Sequence, residues 1–411
     1  MINFKESEIG KIPIDWNYEP LESFFELITY GFTNPMPTTE IGPYMITAKD
    51  INDGRIKYES ARKTSEDAFI NLLTDKSRPK KNDILITKDA SIGRVAIVKN
   101  ENLCINQSVA LIRPNKRIRP LFLKYLLEAP NYQKLIYRDA SGSTILHIYI
   151  TRINKMLIAV PSLKEQDEIV KVVHILQEKI ELLQAQNKIL KTTAKTIFNE
   201  WFDKYDISDD LPEGWRIGKL REIVEIKNGF AFKSNDYVEK GVPIVRTTNF
   251  KNGSIILDSP VFLTPEKSTM YDSFKLNKFD FLLVMVGASI GKNVITPSHI
   301  LPALQNQNMW NFKAHKPIFT FYNILALKKL IREQLNSASG SARDFFRKDH
   351  FYNVEILIPE INTLEKFNKI AEPMYNKIDF NHFQIQTLIE TRDKLLPKLM
   401  TGEIRINEFK D

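Results

Sequence analysis

An internal repeat constrains this chain more than any other feature of its sequence. Ordered motifs return at offsets between 197 and 200 residues: Ile-Pro-Ile-Asp-Trp at 12–16 returns as Leu-Pro-Glu-Gly-Trp at 211–215, Ala-Ser-Ile-Gly-Arg at 90–94 as Ala-Ser-Ile-Gly-Lys at 288–292, Asn-Gln at 106–107 as Asn-Gln at 306–307, and Ser-Gly-Ser at 141–143 as Ser-Gly-Ser at 339–341. A period of this length is too long for a solenoid. The 411 residues therefore predict a duplicated domain.

Each copy begins with a globular segment in which short β-branched runs alternate with Gly, Pro and Asn. Ile-Leu-Ile-Thr at 84–87 and Val-Ala-Ile-Val at 95–98 are examples. Runs of this length between turn residues are typical of strands. Helical spacing of apolar residues predicts shorter helices near 120–137 and 318–336.

A long helix follows each globular segment. Residues 163–202 contain no Gly or Pro, and apolar residues recur at alternating gaps of four and three, which is a coiled-coil seam. The same seam returns in the second copy, where we expect Pro373 to kink the helix and Pro397 with Gly402 to end it. The residues expected to pair the helices are Leu176, Ile180, Leu183, Asn187, Leu190, Met374, Ile378, Asn381, Ile385 and Leu388.

Two such seams in one chain predict an antiparallel coiled coil related by the pseudo-two-fold of the repeat. Centring the pair places Asn187 opposite Asn381 and Leu183 opposite Ile385. A buried asparagine pair would fix the register at a cost in stability. The predicted fold class is α+β: β-rich globular domains at 1–160 and 204–362 alternate with a central spacer helix at 161–203 and a distal helix and tail at 363–411.

The formal net charge of +8 is unevenly distributed. Residues 1–160 carry +5 and residues 203–362 carry +3, whereas 161–202 and 363–411 are each neutral. Excess positive charge on the globular segments alone favours a polyanionic partner, and nucleic acid is the commonest.

Composition and motifs argue against other classes of protein. No run approaches the length of a membrane span, residues 1–6 carry no apolar signal core, and the single Cys104 fits a reducing compartment, so we expect a cytoplasmic protein. Phosphate-loop, dinucleotide-binding, methyltransferase, hydrolase-elbow and zinc-protease motifs are missing, and the six histidines do not repeat between copies. We therefore predict no catalytic, cofactor or metal site, and assign the recurring Asp83 and Asp280 to turns or strand edges.

Repeated polar loops supply the candidate DNA contacts, and each has a structural alternative. Side-chain amides can read adenine but also cap turns, and Ser-x-Gly-basic turns can hold phosphate or lie in solvent. We expect Gly93 and Gly291 to need positive φ, and Trp16 and Trp215 to anchor cores. The candidates are Lys49, Asn52, Arg55, Lys88, Ser91, Arg94, Asn106, Gln107, Ser141, Ser143, Thr144, Arg246, Thr248, Asn249, Lys251, Asn252, Ser289, Lys292, Asn306, Gln307, Ser339, Ser341 and Arg343.

Taken in order, the motifs resemble the DNA specificity subunit of type I restriction-modification systems over essentially the whole chain. The motifs are Ile-Gly-Lys-Ile-Pro-x-x-Trp at 9–16 with its echo at 211–215, the two Ala-Ser-Ile-Gly-basic turns, the two Asn-Gln pairs, Ile-Ala-Val-Pro-Ser-Leu-x-x-Gln at 158–166, and Leu-Leu-Pro-Lys-Leu-Met-Thr-Gly-Glu-Ile at 395–404. One departure is that the second copy lacks a glutamine equivalent to Gln166.

The resemblance implies two target recognition domains that each read half of a split sequence of double-stranded DNA, with the paired helices setting the gap. It also implies that the chain is non-catalytic and binds no cofactor. Two modification (methyltransferase) subunits would bind S-adenosylmethionine, and restriction (translocase and nuclease) subunits would use ATP and magnesium. Two alternatives stay open: a protein-binding scaffold without DNA, and an enzyme with unusual motifs.

Overall fold

A computed structural model describes residues 3–142, 146–205, 210–251, 253–287, 289–337 and 347–406. Its contacts divide the chain into two compact units. The first unit consists of residues 1–179 and 388–411, and the second of residues 180–387. Each unit therefore contains one globular copy together with a part of each long helix.

The first unit is built on small sheets of short strands. Val95–Ile97, Ile84–Thr87, Val109–Pro114 and Phe25–Tyr30 form an antiparallel sheet in that order, and Leu103–Ile105, Thr39–Ile46 and Arg62–Lys63 form a second sheet, whose first pair is parallel. Two-stranded pairs join Leu157–Val160 to Asn17–Pro20, Phe4–Lys5 to Ile12–Pro13, and Ile51–Asn52 to Arg55–Ile56. The two central strands of the first sheet, Ile84–Thr87 and Val109–Pro114, are almost fully buried, which fits their continuous apolar composition.

The second unit repeats both larger sheets and two of the three two-stranded pairs. Val224–Asn228, Met309–Ala314, Phe281–Val284 and Asn293–Ile295 form the four-stranded sheet, and Val261–Leu263, Val242–Val245 and Leu304–Gln305 form the three-stranded one. Arg216–Lys219 pairs with Glu355–Ile358, and Phe250–Lys251 with Ser254–Ile255. The β-rich character predicted for both copies is confirmed.

Shorter helices cover the sheets. The helix predicted near 120–137 is divided into Pro120–Glu128 and Pro130–Arg138, because Ala129 is extended and Pro130 begins a new helix. The helix predicted near 318–336 is Thr320–Ser337. Short helices of four to six residues lie at Glu66–Asn71, Ile150–Lys155, Pro265–Ser268 and Lys348–Asn353.

The two long helices are Leu163–Phe198 and Ile361–Met400. A single π-helical turn, Asn199–Asp203, extends the first one, so regular α-helix ends earlier than the seam predicts. The second helix continues through Pro373 and Pro397, and Gly402 follows its end with φ of 69°. The predicted end at Pro397 and Gly402 is confirmed, because the last helical residue, Met400, lies between them and the helix closes where glycine adopts the left-handed conformation.

The end of each helix belongs to the core of a unit. In the first unit Leu396, Leu399 and Met400 pack in one hydrophobic cluster with Trp16 and Ile169. In the second unit Ala194 and Phe198 share a cluster with Phe367. The contact units therefore divide each long helix, because the apolar faces of the helix ends are buried against the sheets as well as against each other.

A salt-bridged arginine fixes the C-terminal segment to the first unit. The Arg405 guanidinium donates two hydrogen bonds to Glu165, of 2.8 and 2.6 Å, and further bonds to Asp15. The Glu165 side chain is only 6% exposed. None of the helices in the described part of the chain has the length and low charge that a membrane span needs.

Candidate nucleic-acid interface

The Asn-Gln turn of the first unit is held by three backbone hydrogen bonds. Asn106 N donates to Ile46 O at 3.1 Å, Gln107 N to Phe32 O at 2.9 Å, and Lys88 N to Ser108 O at 2.9 Å. The Asn106 side chain is turned inwards, where its Oδ1 accepts hydrogen bonds from Ser108 N and Oγ. The Gln107 side chain is exposed.

The second unit builds the same turn. Asn306 N donates to Val245 O at 3.1 Å, Gln307 N to Phe230 O at 2.9 Å, and Met285 N to Asn308 O at 3.2 Å. Asn306 Oδ1 accepts from Gln307 N at 2.6 Å, and the Gln307 side chain is exposed. In both copies the asparagine therefore shapes the turn, whereas the glutamine presents its amide to solvent.

A glycine lets the neighbouring strand approach this turn. A Cβ on Gly31 would lie 1.7 Å from Ile105 O, and one on Gly229 would lie 1.8 Å from Asn306 O. No side chain fits at either position, because real Cβ contacts are essentially never shorter than 3.0 Å. This glycine pair is not among the predicted sites, although Gly-Phe at 31–32 and 229–230 recurs at the repeat offset.

The Ala-Ser-Ile-Gly-basic turns have the predicted backbone. Gly93 has φ of 80° and Gly291 has φ of 84°, which confirms the expectation of positive φ. The basic residues that follow, Arg94 and Lys292, are both exposed. Arg94 Nη1 also donates to Ile51 O at 3.3 Å, so this turn contacts the loop that contains Lys49.

The polar loop after the central strand of the three-stranded sheet contains a buried cap. Asp50 Oδ2 accepts from Thr47 N at 3.0 Å, and the equivalent Asn249 Oδ1 accepts from Arg246 N at 2.8 Å. Asn249 Nδ2 also donates to Ile256 O at 3.2 Å. Asn249 is 1% exposed, so its amide shapes the loop, and a direct base contact by this residue is not supported.

Lys88 is also enclosed. It is 8% exposed, its Nζ lies 3.0 Å from Asp89 Oδ2, and the ammonium stands over the Tyr30 ring. Lys88 stays a predicted DNA contact, and its ammonium is already paired with a carboxylate. Asp89 in turn contacts His147, which connects this turn to the segment after residue 145.

The remaining candidates differ in exposure. Exposed are Lys49, Arg94, Gln107, Ser141, Thr248, Lys251, Lys292 and Gln307. Half-buried are Asn52, Arg55, Ser91, Asn106, Arg246, Ser289 and Asn306. Outside the described residues are Ser143, Thr144, Asn252, Ser339, Ser341 and Arg343. Among the exposed cations, Lys251 pairs with Asp258, and this pairing lowers the pKa of the Asp258 carboxyl.

The repeated aspartates do not lie at a reactive site. Asp83 accepts two hydrogen bonds from Arg113, of 3.0 and 2.7 Å, and one from Lys80 N. Asp280 accepts from Asn277 N and Asn311 Nδ2. Both close the turn before a buried strand, as predicted. Burial raises the pKa of the Cys104 thiol to about 12, so it is not a nucleophile at neutral pH.

The long helices pair through polar contacts inside apolar seams. In the second unit Asn381 Nδ2 donates to Asn187 Oδ1 and to Gln186 Oε1, each at 2.8 Å. In the first unit Arg392 Nη1 donates to Gln177 Oε1 at 2.8 Å. Ile180, Leu183, Ile378 and Ile385 are buried in the second unit, whereas Leu176, Leu190, Met374 and Leu388 are half-buried.

The helices run in opposite directions within the second unit. Asn187 meets Asn381, and eleven residues further along the first helix Phe198 stands 6.3 Å, ring centroid to centroid, from Phe367 at the start of the second helix. Residues further along the first helix therefore contact residues nearer the start of the second helix, which is an antiparallel pairing.

Comparisons with known proteins identify a family. Residues 13–192 and 212–391 each match the type I restriction modification DNA specificity domain. The chain is 28% identical to the type I restriction enzyme MjaIX specificity subunit of Methanocaldococcus jannaschii over 99% of this chain and 97% of that protein, and 24% identical to the MjaVIII specificity subunit of the same organism over 99% and 97%. Its fold is similar to the crystal structure of the type I restriction-modification S subunit from M. genitalium, with a TM-score of 0.60, 20% identity, and coverage of 94% and 96%.

Proposed function

Because this chain belongs to the family of type I restriction-modification DNA specificity subunits, we propose that it reads a bipartite target in double-stranded DNA, one half with each unit. The observation that carries the proposal is the Asn-Gln turn, which has the same backbone bonds in both units and ends in exposed Gln107 and Gln307. Glutamine can bond adenine through two hydrogen bonds in the major groove.

The loops around each Asn-Gln turn support the recognition of a different half-site by each unit. Lys49 and Arg94 lie in the loops that contact each other in the first unit, and Thr248 and Lys292 are exposed in the second. Lys49, Arg94 and Lys292 are cations that would bind phosphate and orient the protein, whereas the loop side chains that differ between copies would discriminate bases.

We assign the paired helices to setting the distance between the half-sites. Their buried polar contact at Asn187 and Asn381 supports a single register, because a slipped pairing would leave the amides facing apolar residues. A fixed register is what a constant gap in the target requires.

We further propose that the chain is non-catalytic and positions other subunits on its target. Two modification subunits would supply the methyltransferase site with S-adenosylmethionine, and restriction subunits would supply ATP- and magnesium-dependent cleavage. Apolar side chains left uncovered on the helices of the second unit support a protein partner there: Leu182 and Ile189 are 63% and 65% exposed, and Phe380 and Phe383 are 52% and 50% exposed.

Methylome sequencing tests the bipartite reading. Cells that express this chain with its modification partner should contain a methylated motif of two parts with a fixed gap. Replacing residues 1–160 with the equivalent segment of another family member should change one half of the motif, and replacing 204–362 should change the other. A continuous motif, or a motif that does not depend on this chain, would contradict the proposal.

A salt titration separates DNA reading from a protein scaffold. Phosphate contacts release counterions, so the affinity for duplex DNA should fall steeply and linearly on a log–log plot of salt. Gln307→Ala should change the preference among sequences while leaving that slope unchanged, and Lys292→Ala should reduce the slope by about one. A scaffold without a DNA site would show no saturable binding at low salt.

A further inference from the structure

The second unit contains a cavity of about 250 Å³, to which the candidate DNA loop contributes Gly253 alone. It is slightly smaller than the pockets that hold drug-sized ligands, which range from about 300 Å³ upwards. Both long helices, the helix Thr320–Ser337 and the strand Asn293–Ile295 contribute to its walls. The side chains used below are Lys191, Phe279, Lys328, Tyr375, Asp379 and His382.

Two lysines from different helices line this cavity without a counter-charge. Among the residues that the structure describes, neither Lys191 nor Lys328 forms an ion pair or a hydrogen bond. Asp379 is the one carboxylate in the described lining, and it is already engaged. It accepts hydrogen bonds from Ser298 N and Oγ at 2.8 and 2.7 Å and lies 3.2 Å from the ammonium of Lys278.

The electrostatics of the cavity are unfavourable while it lacks an anion. Burial lowers the pKa of Lys328 to about 8, and repulsion from Lys191 adds to this effect. Burial also lowers the pKa of Lys191 itself. Burial, with a smaller contribution from Lys191, holds the pKa of His382 at about 4, so its neutral imidazole is available as a hydrogen-bonding group at neutral pH. Burial is the largest cause of all three shifts, and repulsion from Lys191 adds to the shifts of Lys328 and His382.

Part of the remaining wall is aromatic, with two rings that meet edge to face, and polar Asn293 and Thr296 also contribute to the lining. Phe279 and Tyr375 line the cavity beside the lysines, and their rings lie 6.3 Å apart between centroids. An aromatic wall next to two ammonium groups fits a ligand that has an anionic end and a planar apolar end.

We propose that this cavity binds a small phosphate-class dianion that carries a planar apolar group, with Lys191 and Lys328 holding the phosphate. Lysine binds phosphate as a point charge with three donors, and two lysines match a dianion better than a carboxylate. The proposal is independent of the DNA-reading function.

Calorimetric titration of the full chain with three probes tests the proposal. Phenyl phosphate should bind saturably and more tightly than inorganic phosphate, and benzoate should bind most weakly of the three. Benzoate binding as tightly as phenyl phosphate would overturn the proposal, because the apolar walls alone would then account for affinity. The absence of saturable phenyl phosphate binding up to 10 mM, a limit on the order of a very weak small-ligand site, would overturn it as well.

Variants with a matched control locate the site. Lys191→Met and Lys328→Met keep the aliphatic stems, and each should weaken phenyl phosphate by about tenfold or more, because a charge-assisted hydrogen bond is lost. Lys195→Met, which alters an exposed lysine one turn further along the same helix, should leave binding unchanged. An equal loss in Lys195→Met would overturn the proposal.

An NMR measurement on the chain without substitutions tests the proposal even if a variant fails to fold. In the full chain with ¹³C-methylated lysines, phenyl phosphate should shift the NMR signal of Lys328 and raise its pKa. An unmoved signal would overturn the proposal. So would a signal that moves with duplex DNA and not with phenyl phosphate, since the lysines would then belong to a DNA interface.

Discussion

The buried asparagine pair predicts an unusual order of unfolding free energies among the native chain and three variants. Asn381 is 0% and Asn187 is 4% exposed, and Asn381 Nδ2 donates to Asn187 Oδ1 and also to Gln186 Oε1. Among the described residues, Asn187 Nδ2 and Asn381 Oδ1 have no hydrogen-bond partner. The pair is therefore half satisfied, and the variants to compare are the native chain, Asn187→Leu, Asn381→Leu and the double leucine variant.

The loss in the free energy of unfolding depends on which asparagine amide stays buried after the substitution. Asn381→Leu leaves the whole Asn187 amide buried and unpaired, so the second unit should lose about 1–3 kcal/mol in its free energy of unfolding. Asn187→Leu should cost less, because Asn381 keeps its bond to Gln186. The double variant removes both amides and buries two leucines, each worth about 1.5–3 kcal/mol when fully buried, so it should be more stable than the native chain.

Urea unfolding, followed by hydrogen exchange of residues 180–198, measures these differences. That segment lies in the second unit, so unfolding of the first unit does not enter the signal. The midpoints should change while the m-value stays constant. The reasoning is refuted if the double variant loses the sum of the two single losses, since the asparagines would then stabilise the seam independently of each other.

Three further predictions concern other parts of the molecule. Arg405→Ala should destabilise the first unit by about 3 kcal/mol, because buried Glu165 loses its partner. Hydrogen exchange of residues 163–179 measures this loss. The control Lys398→Ala breaks an exposed ion pair and should cost less than about 1 kcal/mol. Gln307→Ala should leave the free energy of unfolding unchanged within about 0.5 kcal/mol. In competitive DNA binding it should reduce the discrimination between bases at one half-site by about 1–3 kcal/mol. Unchanged discrimination would refute the proposed role of Gln307. Since burial lowers the pKa of His382 to about 4, below the unfolded value near 6.5, the unfolded chain takes up the proton first. The second unit should therefore lose up to roughly 3 kcal/mol as the pH falls from about 6.5 to about 4, and His382→Gln should remove that part of a pH-dependent urea series.

The repeat and the helix seams could be predicted from sequence because both are periodic signals. Each motif at one position specifies where its copy must be found, and a seam with alternating gaps of four and three specifies which face is buried. The contact between Asn187 and Asn381 follows from the same arithmetic, since two polar residues interrupting matched seams can avoid an apolar environment only by facing each other.

Burial within loops could not be predicted in the same way. Asn249 and Thr248 are adjacent polar residues in one loop, yet the first is 1% exposed and the second is exposed to solvent. The difference depends on Ile256 O, an acceptor seven residues away that no local pattern specifies. The pairing of Lys88 with Asp89 and Tyr30 likewise depends on how separate strands come together.

The asparagine and the glutamine of the Asn-Gln turn have different roles, and this difference affects how the two units can come to recognise different sequences. Asn106 and Asn306 satisfy the turn with their side chains, so replacing either one would disturb the backbone around it. Gln107 and Gln307 hold their positions through backbone N–H groups alone, which every residue except proline supplies. Substitution at these two positions can therefore change the exposed side chain without refolding the turn. We accordingly expect any exchange of specificity between the units to require the exposed position of the turn and not the asparagine before it.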